Sequence, residues 1–250
     1  MLASENRREF KFILRAGQES FIREKVAKHL TADIHARDGY TVISEYFDSC
    51  DLKSYWQKQL GSPTRRRLRG RLYSCKDGSI PPAAFIEIKH KLDGATVKRR
   101  VNCELKDLIF FSRGKIPSDL ELLTRTDNRI IAEIADLIDN HNYRPVVQIR
   151  YHRYAYDSGA DGTIRITFDL DLRCRFHLKP MLPNCDDFDL NLMDPGASIM
   201  EVKTIGPVPY WFRNLIGDFN LTPCSFSKYA KSIELTKLKT NSSNLESQPK

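Results

Sequence analysis

Residues 83–102 read AAFIEIKHKLDGATVKRRVN, and this stretch decides what kind of fold the chain adopts. In a strand, side chains two residues apart share a face, so Glu87 and Lys89 lie on one side and Ile86 and Ile88 on the other. After a short LDG turn, Lys98 and Arg100 likewise share a face. The stretch therefore predicts an antiparallel hairpin with one apolar and one charged face.

The same alternation recurs along the chain and gives eight candidate strands. They are REFKFILR (8–15), TVISEYFD (41–48), RRLRGRLYS (66–74), AAFIEIKHK (83–91), ATVKRRVN (95–102), VVQIRYHRYAYD (146–157), GTIRITFDLDL (162–172) and SIMEVKT (198–204). Helical patterns are found at Gln18–Leu30, Asp51–Lys58, Asn128–Asn140, Val208–Phe219 and Ser227–Leu238. The prediction is an α+β fold.

A half-exposed sheet with its charged face in water is the ordinary explanation of such alternation. Here, however, Arg and Lys dominate the charged faces, and like charges on neighbouring strands repel. A bound polyanion would offset that repulsion, while the predicted helices can cover the apolar faces. We therefore expect a closed, mostly antiparallel eight-stranded β-barrel, with helices packed on the outside and a basic lining that binds a chain of phosphates.

Composition is consistent with an anionic ligand. The 250 residues carry 40 Lys and Arg against 32 Asp and Glu, a formal charge of +8. Nucleic acid is not the expected partner, because the arginine-rich stretch Thr64–Arg71 lacks an aromatic platform and no DNA-binding motif accompanies it.

Six scattered cysteines without a CxxC pair predict reduced thiols. No transmembrane segment or secretory signal is recognisable, so a cytoplasmic location is expected.

One domain is expected over residues 7–238, after a flexible lead-in at 1–6 and before a polar, disordered tail at 239–250. Asp48, in the YFDS stretch, is expected to cap the helix that follows rather than to bind metal.

Ten strings in order resemble the VTC domain, the polyphosphate polymerase branch of the triphosphate tunnel metalloenzymes. They are EFKF, SEYFD, RLRGRLY, FIEIKHK, VKRR, RYHRYAY, IRITFDLDL, MEVKT, a helix containing P-x-W, and FSKY. The likeness covers nearly the whole body of the chain and implies a stand-alone form of that domain.

Residue by residue, the resemblance implies a set of phosphate contacts on the charged faces. These are Lys11, Arg69, Arg71, Lys89, Lys98, Arg153 and Arg165, with Tyr151 and Lys203 also binding substrate and with Ser227 and Lys228 of FSKY holding phosphate at one end.

A metal ion is implied as well. Carboxylates among phosphates repel them unless they hold a divalent cation, and Mn²⁺ or Mg²⁺ shares oxygen ligands with substrate phosphates. The resemblance assigns the metal to Glu201. Glu9 is a candidate additional ligand, although the ExExK motif of the hydrolytic members has lost its first Glu to Arg7.

The implied activity is a metal-dependent polyphosphate polymerase that transfers the terminal phosphate of ATP to a growing polyphosphate chain, with room for a separate membrane partner that receives the product. An inorganic or nucleoside triphosphatase is the alternative enzyme, because one fold serves both reactions. A non-catalytic polyphosphate-binding module is the third reading. It is favoured by Ser225, which stands where eukaryotic polymerases have a lysine.

Overall fold

The computed structural model describes residues 7–33, 38–75, 82–93, 95–117, 124–159, 162–176, 179–183 and 185–236. These residues form two compact units, each assembled from separate stretches of the chain. Unit 1 takes described residues within 1–41, 151–173 and 193–226, and unit 2 takes those within 42–150, 174–192 and 227–250. The predicted lead-in (1–6) and tail (239–250) lie outside the described residues.

The elements alternate between strands and helices. In chain order they are β1 (Arg7–Leu14), α1 (Gln18–Ala27), β2 (Thr31–Ala32), β3 (Tyr40–Asp48), α2 (Lys53–Gln59), β4 (Arg65–Ser74), β5 (Ala83–Leu92), β6 (Ala95–Cys103), α3 (Leu105–Ser112), α4 (Arg125–Asp139), β7 (Arg144–Asp157), β8 (Ile164–Arg175), β9 (Leu190–Asn191), β10 (Ser198–Ile205), α5 (Tyr210–Asp218) and α6 (228–236). All eight predicted strands and all five predicted helices are present.

In unit 1, helices α1 and α5 cover the apolar face of β1, β8 and β10. Phe12, Ile166 and Met200 from the strands form one buried cluster with Ile22 of α1 and Phe212 of α5. Fully burying such side chains contributes roughly 1.5–3 kcal/mol each. The charged residues that alternate with them are left on the opposite face.

In unit 2, helix α4 covers the apolar face of the β4–β6 hairpins. Ile134 and Ile138 pack in one buried cluster with Ile86 and Ile88 of β5. The helix begins where Thr124 Oγ1 accepts a hydrogen bond from the Asp127 backbone N–H (3.1 Å). The predicted separation of apolar and charged faces thus holds in each unit.

Helix α3 was not predicted, because its apolar run is the short stretch LIFF (108–111), from which a helix cannot be told from a strand. Glu104 and Asp107 form a capping box at its start, which is a signal present in the sequence. It packs so closely on β4 that a Cβ on Gly70 would lie 2.9 Å from Leu108 Cδ1. Only glycine fits this position without a shift of Leu108.

The prediction of a closed barrel was wrong. Backbone hydrogen bonds give the strand order β1-β10-β8-β7-β3-β4-β5-β6, so within the described residues β1 and β6 are ends of the path rather than partners. Closure requires the first and last strands to pair. In β1, the carbonyl of Lys11 instead accepts a hydrogen bond from Cys224 N (2.8 Å), so the segment after α5 binds backbone that a closing strand would need.

The cysteines and the helices give two further observations. All six cysteines are free thiols, as expected. Among the described helices, none combines the length and the hydropathy needed to cross a bilayer.

Candidate functional site

Each unit presents one cluster of charged side chains on its polar strand face. The carboxylate-rich cluster of unit 1 consists of Glu9, Lys11, Tyr151, Arg153, Asp169, Glu201 and Lys203. The arginine-rich cluster of unit 2 consists of Tyr46, Arg67, Arg69, Arg71, Glu87, Lys89, Lys98, Arg100 and Lys228.

In the carboxylate-rich cluster, positive and negative side chains alternate both along each strand and across the strand pair. Strands β1 and β10 pair antiparallel, with Glu9 opposite Lys203 and Lys11 opposite Glu201. Lys11 Nζ lies 3.2 Å from Glu9 Oε1 and 3.7 Å from Glu201 Oε2. Lys203 Nζ lies 2.5 Å from Glu201 Oε1. The E-x-K spacing on both strands therefore places each carboxylate beside an ammonium group.

Glu201 is held as a carboxylate anion. Its side chain is only 12% exposed. Burial alone would raise the pKa of Glu201, but the positive charges of Lys203, Lys11 and Arg153 lower it well below its usual range. It is therefore ionised at any physiological pH and available to a cation.

Arg153 is fixed in place by Asp169. Arg153 Nε and Nη2 donate to the two Asp169 carboxylate oxygens at 2.6 and 2.8 Å, and Asp169 is fully buried. The guanidinium carbon of Arg153 lies 5.1 Å from the centroid of the buried Tyr151 ring. Burial would lower the pKa of Arg153, but the Asp169 and Tyr151 neighbours raise it. Within the described residues Arg153 Nη1 has no hydrogen-bond partner, so it remains for a further acceptor.

Arg165, another predicted phosphate contact, lies opposite Lys203 in the pairing of β8 with β10, but its side chain is held by carboxylates outside this cluster. Its Nη2 donates to Asp33 (2.9 Å) and its Nη1 to Asp157 (3.3 Å). A phosphate would have to compete with both carboxylates for this guanidinium. The role of Arg165 stays a prediction.

The carboxylate-rich cluster fits a divalent cation in one respect. Glu9 and Glu201 converge on a single positive group, the Lys11 ammonium, so the protein can present two carboxylates to one cation. The described part of the chain holds no group of three or more His, Cys, Asp or Glu that could bind a metal ion. Substrate phosphate oxygens would have to supply the remaining ligands, which is how Mg²⁺ is commonly held.

In the arginine-rich cluster, one carboxylate is shared by several cations. Glu87 lies opposite Arg69 on one side and Arg100 on the other. Arg69 Nε donates to Glu87 Oε2 at 2.7 Å, and Lys98 Nζ lies 2.5 Å from Glu87 Oε1. The Glu87 side chain is 1% exposed, so this pairing is inside the protein.

The pKa values report the excess of positive charge. Burial would raise the pKa of Glu87, but Arg69, Arg71 and Lys98 lower it to about 2. Burial lowers the pKa of Lys98, and the negative charge of Glu87 offsets only part of that decrease. One register step away, Arg67 faces Lys89, and Lys89 faces Lys98, so three cations stand side by side with no carboxylate in that row.

Hydroxyl groups help to orient the buried side chain of Arg71. Its Nε donates to Ser44 Oγ (3.1 Å) and its Nη1 to the Tyr73 hydroxyl (3.1 Å). Arg71 also lowers the pKa of Glu87, as Arg69 and Lys98 do, so one carboxylate serves three cations. This excess of positive charge suits a group that binds an anion.

The FSKY residues lie at the start of α6. Ser227 Oγ accepts a hydrogen bond from Ala230 N (3.3 Å), so Ser227 is the helix cap. Lys228 follows it, and its charge is close enough to lower the pKa of Tyr46. The predicted phosphate contacts at both residues stay predictions.

Asp48 caps α2, as predicted. Its two carboxylate oxygens accept hydrogen bonds from Ser54 N (2.8 Å) and Tyr55 N (3.0 Å), and the Tyr229 hydroxyl donates to it at 2.6 Å. These contacts occupy the carboxylate and explain its burial.

Five residues of the clusters were missed as site residues: Tyr46, Glu87, Asp169 and the two arginines Arg67 and Arg100, which alternation placed on the charged faces. Glu87 and Asp169 were placed on the charged faces by alternation, but nothing in the sequence showed that they orient Arg69 and Arg153. Tyr46 was missed because a tyrosine within a strand usually packs in a core.

The comparisons with known proteins agree with the resemblance found in the sequence. The sequence model of the VTC domain matches residues 6–237. This chain belongs to the VTC domain family. No curated protein matches it.

Two solved structures are similar to this chain at low sequence identity. A candidate adenylyl cyclase from Hippeastrum, described as having a dominant triphosphatase activity, is 15% identical with a TM-score of 0.53, over 89% of this chain and 92% of that one. A candidate adenylate cyclase from Vibrio parahaemolyticus is 11% identical with a TM-score of 0.48, over 90% and 96% of the two chains. The Hippeastrum structure shows a shared fold.

Proposed function

We propose that this VTC domain is a phosphotransferase that moves the terminal phosphate of ATP onto inorganic polyphosphate. The supporting observation is the charge of the arginine-rich cluster, where seven basic side chains accompany one carboxylate, Glu87. Such a cluster is costly for a folded protein unless a polyanion binds to it. Membership of the VTC family supports polyphosphate as that polyanion.

In the proposed reaction, a terminal oxygen of polyphosphate attacks the γ-phosphorus of ATP. A new P–O bond forms, the bond between the γ-phosphorus and the bridging oxygen breaks, and ADP leaves with that oxygen. The protein contributes by positioning the two phosphate chains and by neutralising charge on the transferred group. Arg69 and Arg71, held by Glu87 and Ser44, and Arg153, held by Asp169, are oriented before substrate binds.

Glu201 and Glu9 would hold a Mn²⁺ or Mg²⁺ ion, which when bound polarises phosphoryl oxygens and offsets their charge. The Lys11 ammonium contacts the carboxylates of both Glu9 and Glu201. With a metal ion bound there, it would have to move away from them or pair with a phosphate. Lys203 contacts the carboxylate of Glu201. We propose that Lys203 would pair with a substrate phosphate when Glu201 holds a metal ion.

Triphosphate hydrolysis is the second candidate, and a specific observation favours it. Glu9 survives from the motif of the hydrolytic members and contacts the same Lys11 as Glu201 does. The Hippeastrum protein of this fold is described as a triphosphatase. With water as the nucleophile, the products are free phosphate, ADP and a proton.

Incubation with ATP and Mn²⁺ or Mg²⁺, followed by separation of the products by size, tests the proposal. Phosphate chains longer than three units, formed together with ADP, are expected. ADP with free phosphate alone would identify a triphosphatase, and binding of polyphosphate without turnover would identify a binding module. If no triphosphate or polyphosphate binds, the proposal is overturned.

A matched pair of variants ties the activity to the arginine-rich cluster. Arg69→Met removes a cation from that cluster. Arg66→Met removes one from the other face of the same strand, where Arg66 lies near Glu133 (3.9 Å) and Asp136 (3.6 Å) of α4. Turnover should fall in the first variant and stay within about twofold of wild type in the second.

A further inference from the structure

Tyr46 lies in the middle of β3 beside the cations of the arginine-rich cluster. It is 7% exposed. Its ring stacks on the ring of Tyr229 from α6, with centroids 5.3 Å apart and an interplanar angle of 19°. The two rings fix the position of the Tyr46 hydroxyl, because a ring packed in this way has little rotational freedom.

Positive groups face this hydroxyl from two elements. Arg69 Nη1 donates to it at 3.5 Å, and Arg71 is anchored on Ser44, two residues earlier on the same face of β3. Lys228 contributes its charge from the start of α6. The other charged and titratable groups of the described residues that surround this position are Arg67, Tyr73, Glu87, Lys98, Asp48 and Tyr229.

The hydroxyl accepts a hydrogen bond but has no acceptor for its own hydrogen within the described residues. A buried polar hydrogen without an acceptor is costly. The neighbouring Tyr229 differs, since its hydroxyl donates to Asp48 at 2.6 Å. Tyr46 therefore has an unused donor beside several cations, which is an arrangement that suits an anionic oxygen.

We propose that the Tyr46 hydroxyl binds substrate directly, donating a hydrogen bond to a phosphoryl oxygen that Arg69 and Arg71 bind as cations. Tyr46 thereby becomes an additional phosphate-binding residue of the arginine-rich cluster. The inference rests on the proposed function, because it requires that this cluster bind phosphate.

The charges around Tyr46 make this contact sensitive to pH. Burial alone would raise the pKa of Tyr46, but Arg69, Arg71 and Lys228 lower it from 10.0 to about 8. Below that pH the hydroxyl is a donor. Above it the phenolate repels phosphate, so the affinity should fall as the pH rises through about 8. By reciprocity, bound phosphate should raise the pKa of Tyr46.

Absorbance of phenolate at about 295 nm, titrated from pH 6 to 11, tests the proposal on the wild-type protein. One tyrosine should ionise near pH 8, and tripolyphosphate without metal should move that step up by about one pH unit or more. An unchanged step in the presence of saturating tripolyphosphate would overturn the proposal.

Tyr46→Phe provides the second test, because phenylalanine keeps the stack on Tyr229. Calorimetry in EDTA at pH 7 should show tripolyphosphate binding about tenfold weaker than in wild type. At pH 9.5 this advantage of wild type should vanish or reverse, since the wild-type hydroxyl is then ionised and repels phosphate. The absorbance step near pH 8 should be missing from the variant.

Tyr143→Phe is the matched control. Tyr143 is another buried tyrosine of unit 2, but it packs in the apolar cluster with α4, and its hydroxyl lies 2.9 Å from Ser54 Oγ rather than beside the cations of the arginine-rich cluster. Its substitution should change the pH 7 affinity by less than about twofold. Equal losses in the two variants would overturn the specific role of Tyr46.

The two proposals fail in distinguishable ways. If wild type binds no tripolyphosphate, or if Arg69→Met binds as well as wild type, the proposed function fails. If binding depends on Arg69 while Tyr46→Phe equals wild type at every pH, only the role of Tyr46 fails.

Discussion

Strands β1 and β10 carry Glu-x-Lys pairs that place each glutamate opposite a lysine, whereas on β5 the same spacing places Glu87 between Arg69 and Arg100. The same three-residue pattern therefore produces a nearly balanced cluster in unit 1 and a strongly positive one in unit 2. What differs is the partner strand. The charge of a sheet face depends on cross-strand neighbours as much as on the strand's own sequence.

The difference predicts different tasks for the two clusters. In the carboxylate-rich cluster, Glu201 and Glu9 already neutralise the nearby lysines, so an added cation is needed before phosphate is attracted. In the arginine-rich cluster, seven basic side chains accompany the single carboxylate of Glu87, and the excess of positive charge lowers the pKa of Tyr46. We expect the first cluster to act with metal and the second to bind phosphate without it.

Glu201→Gln should have the largest effect. The amide removes the charge that would hold the metal, so metal-dependent turnover should fall on the order of 10³-fold while the fold is retained. Initial rates measured against Mn²⁺ concentration, with circular dichroism for the fold, check this. Glu9→Gln is the control, and its metal-dependent turnover should fall less than that of Glu201→Gln. An unchanged metal dependence in Glu201→Gln would exclude it as the ligand.

Arg69→Met should have the next largest effect. The change removes the charge that Glu87 holds in place, and kcat/KM for ATP should fall about 100-fold if Arg69 stabilises the transferred phosphate. Arg153→Ala provides the corresponding loss in the carboxylate-rich cluster, about 2–4 kcal/mol of transition-state stabilisation. Wild-type kcat/KM in either variant would remove that arginine from the site.

Glu87→Gln should separate stability from binding. The folded-state pKa of Glu87 is about 2, below its ordinary 4.5, so its stabilisation is present above pH 4.5 and is lost as the pH falls towards 2. The variant should unfold more easily at pH 7, by about 2–4 kcal/mol, and this deficit should shrink in acid. Denaturant unfolding between pH 2.5 and 7 measures it.

The same variant should bind tripolyphosphate no more weakly than wild type, because the cluster has gained net positive charge. Calorimetry under conditions where the variant is folded checks this. A large loss of affinity in a folded Glu87→Gln protein would mean that the orientation of Arg69 and Lys98 matters more than their charge.

Lys89→Met should have the smallest effect, since Lys89 is exposed and its charge is screened by solvent. Tripolyphosphate affinity at low salt should fall about threefold, and the difference from wild type should disappear at high salt. Tripolyphosphate affinities measured from about 20 to 500 mM salt test this. A loss of affinity as large as that of Arg69→Met would show that the exposure of a side chain does not determine how much it contributes to binding.

Alternation predicted the faces of the strands because a strand has a fixed period of two, and Glu87, Arg69 and Glu201 lie on the faces expected. Barrel closure was not predictable in this way, since alternation says nothing about which edges pair, and Lys11 binds the 221–226 segment. The role of Asp169 depends on its contact with Arg153 across two strands, and that of Tyr46 on Arg69 and on Tyr229 of α6, and alternation does not specify contacts between elements. Helix α3 could have been found from Glu104 and Asp107.

Binding of tripolyphosphate in EDTA, compared by calorimetry at pH 7 for wild type, Arg69→Met and Glu201→Gln, tests the central claim most directly. We predict that wild type and Glu201→Gln bind with similar affinity and that Arg69→Met binds about 100-fold more weakly. Metal-free binding that is abolished by Glu201→Gln and unaffected by Arg69→Met would contradict the assignment of phosphate binding to the arginine-rich cluster.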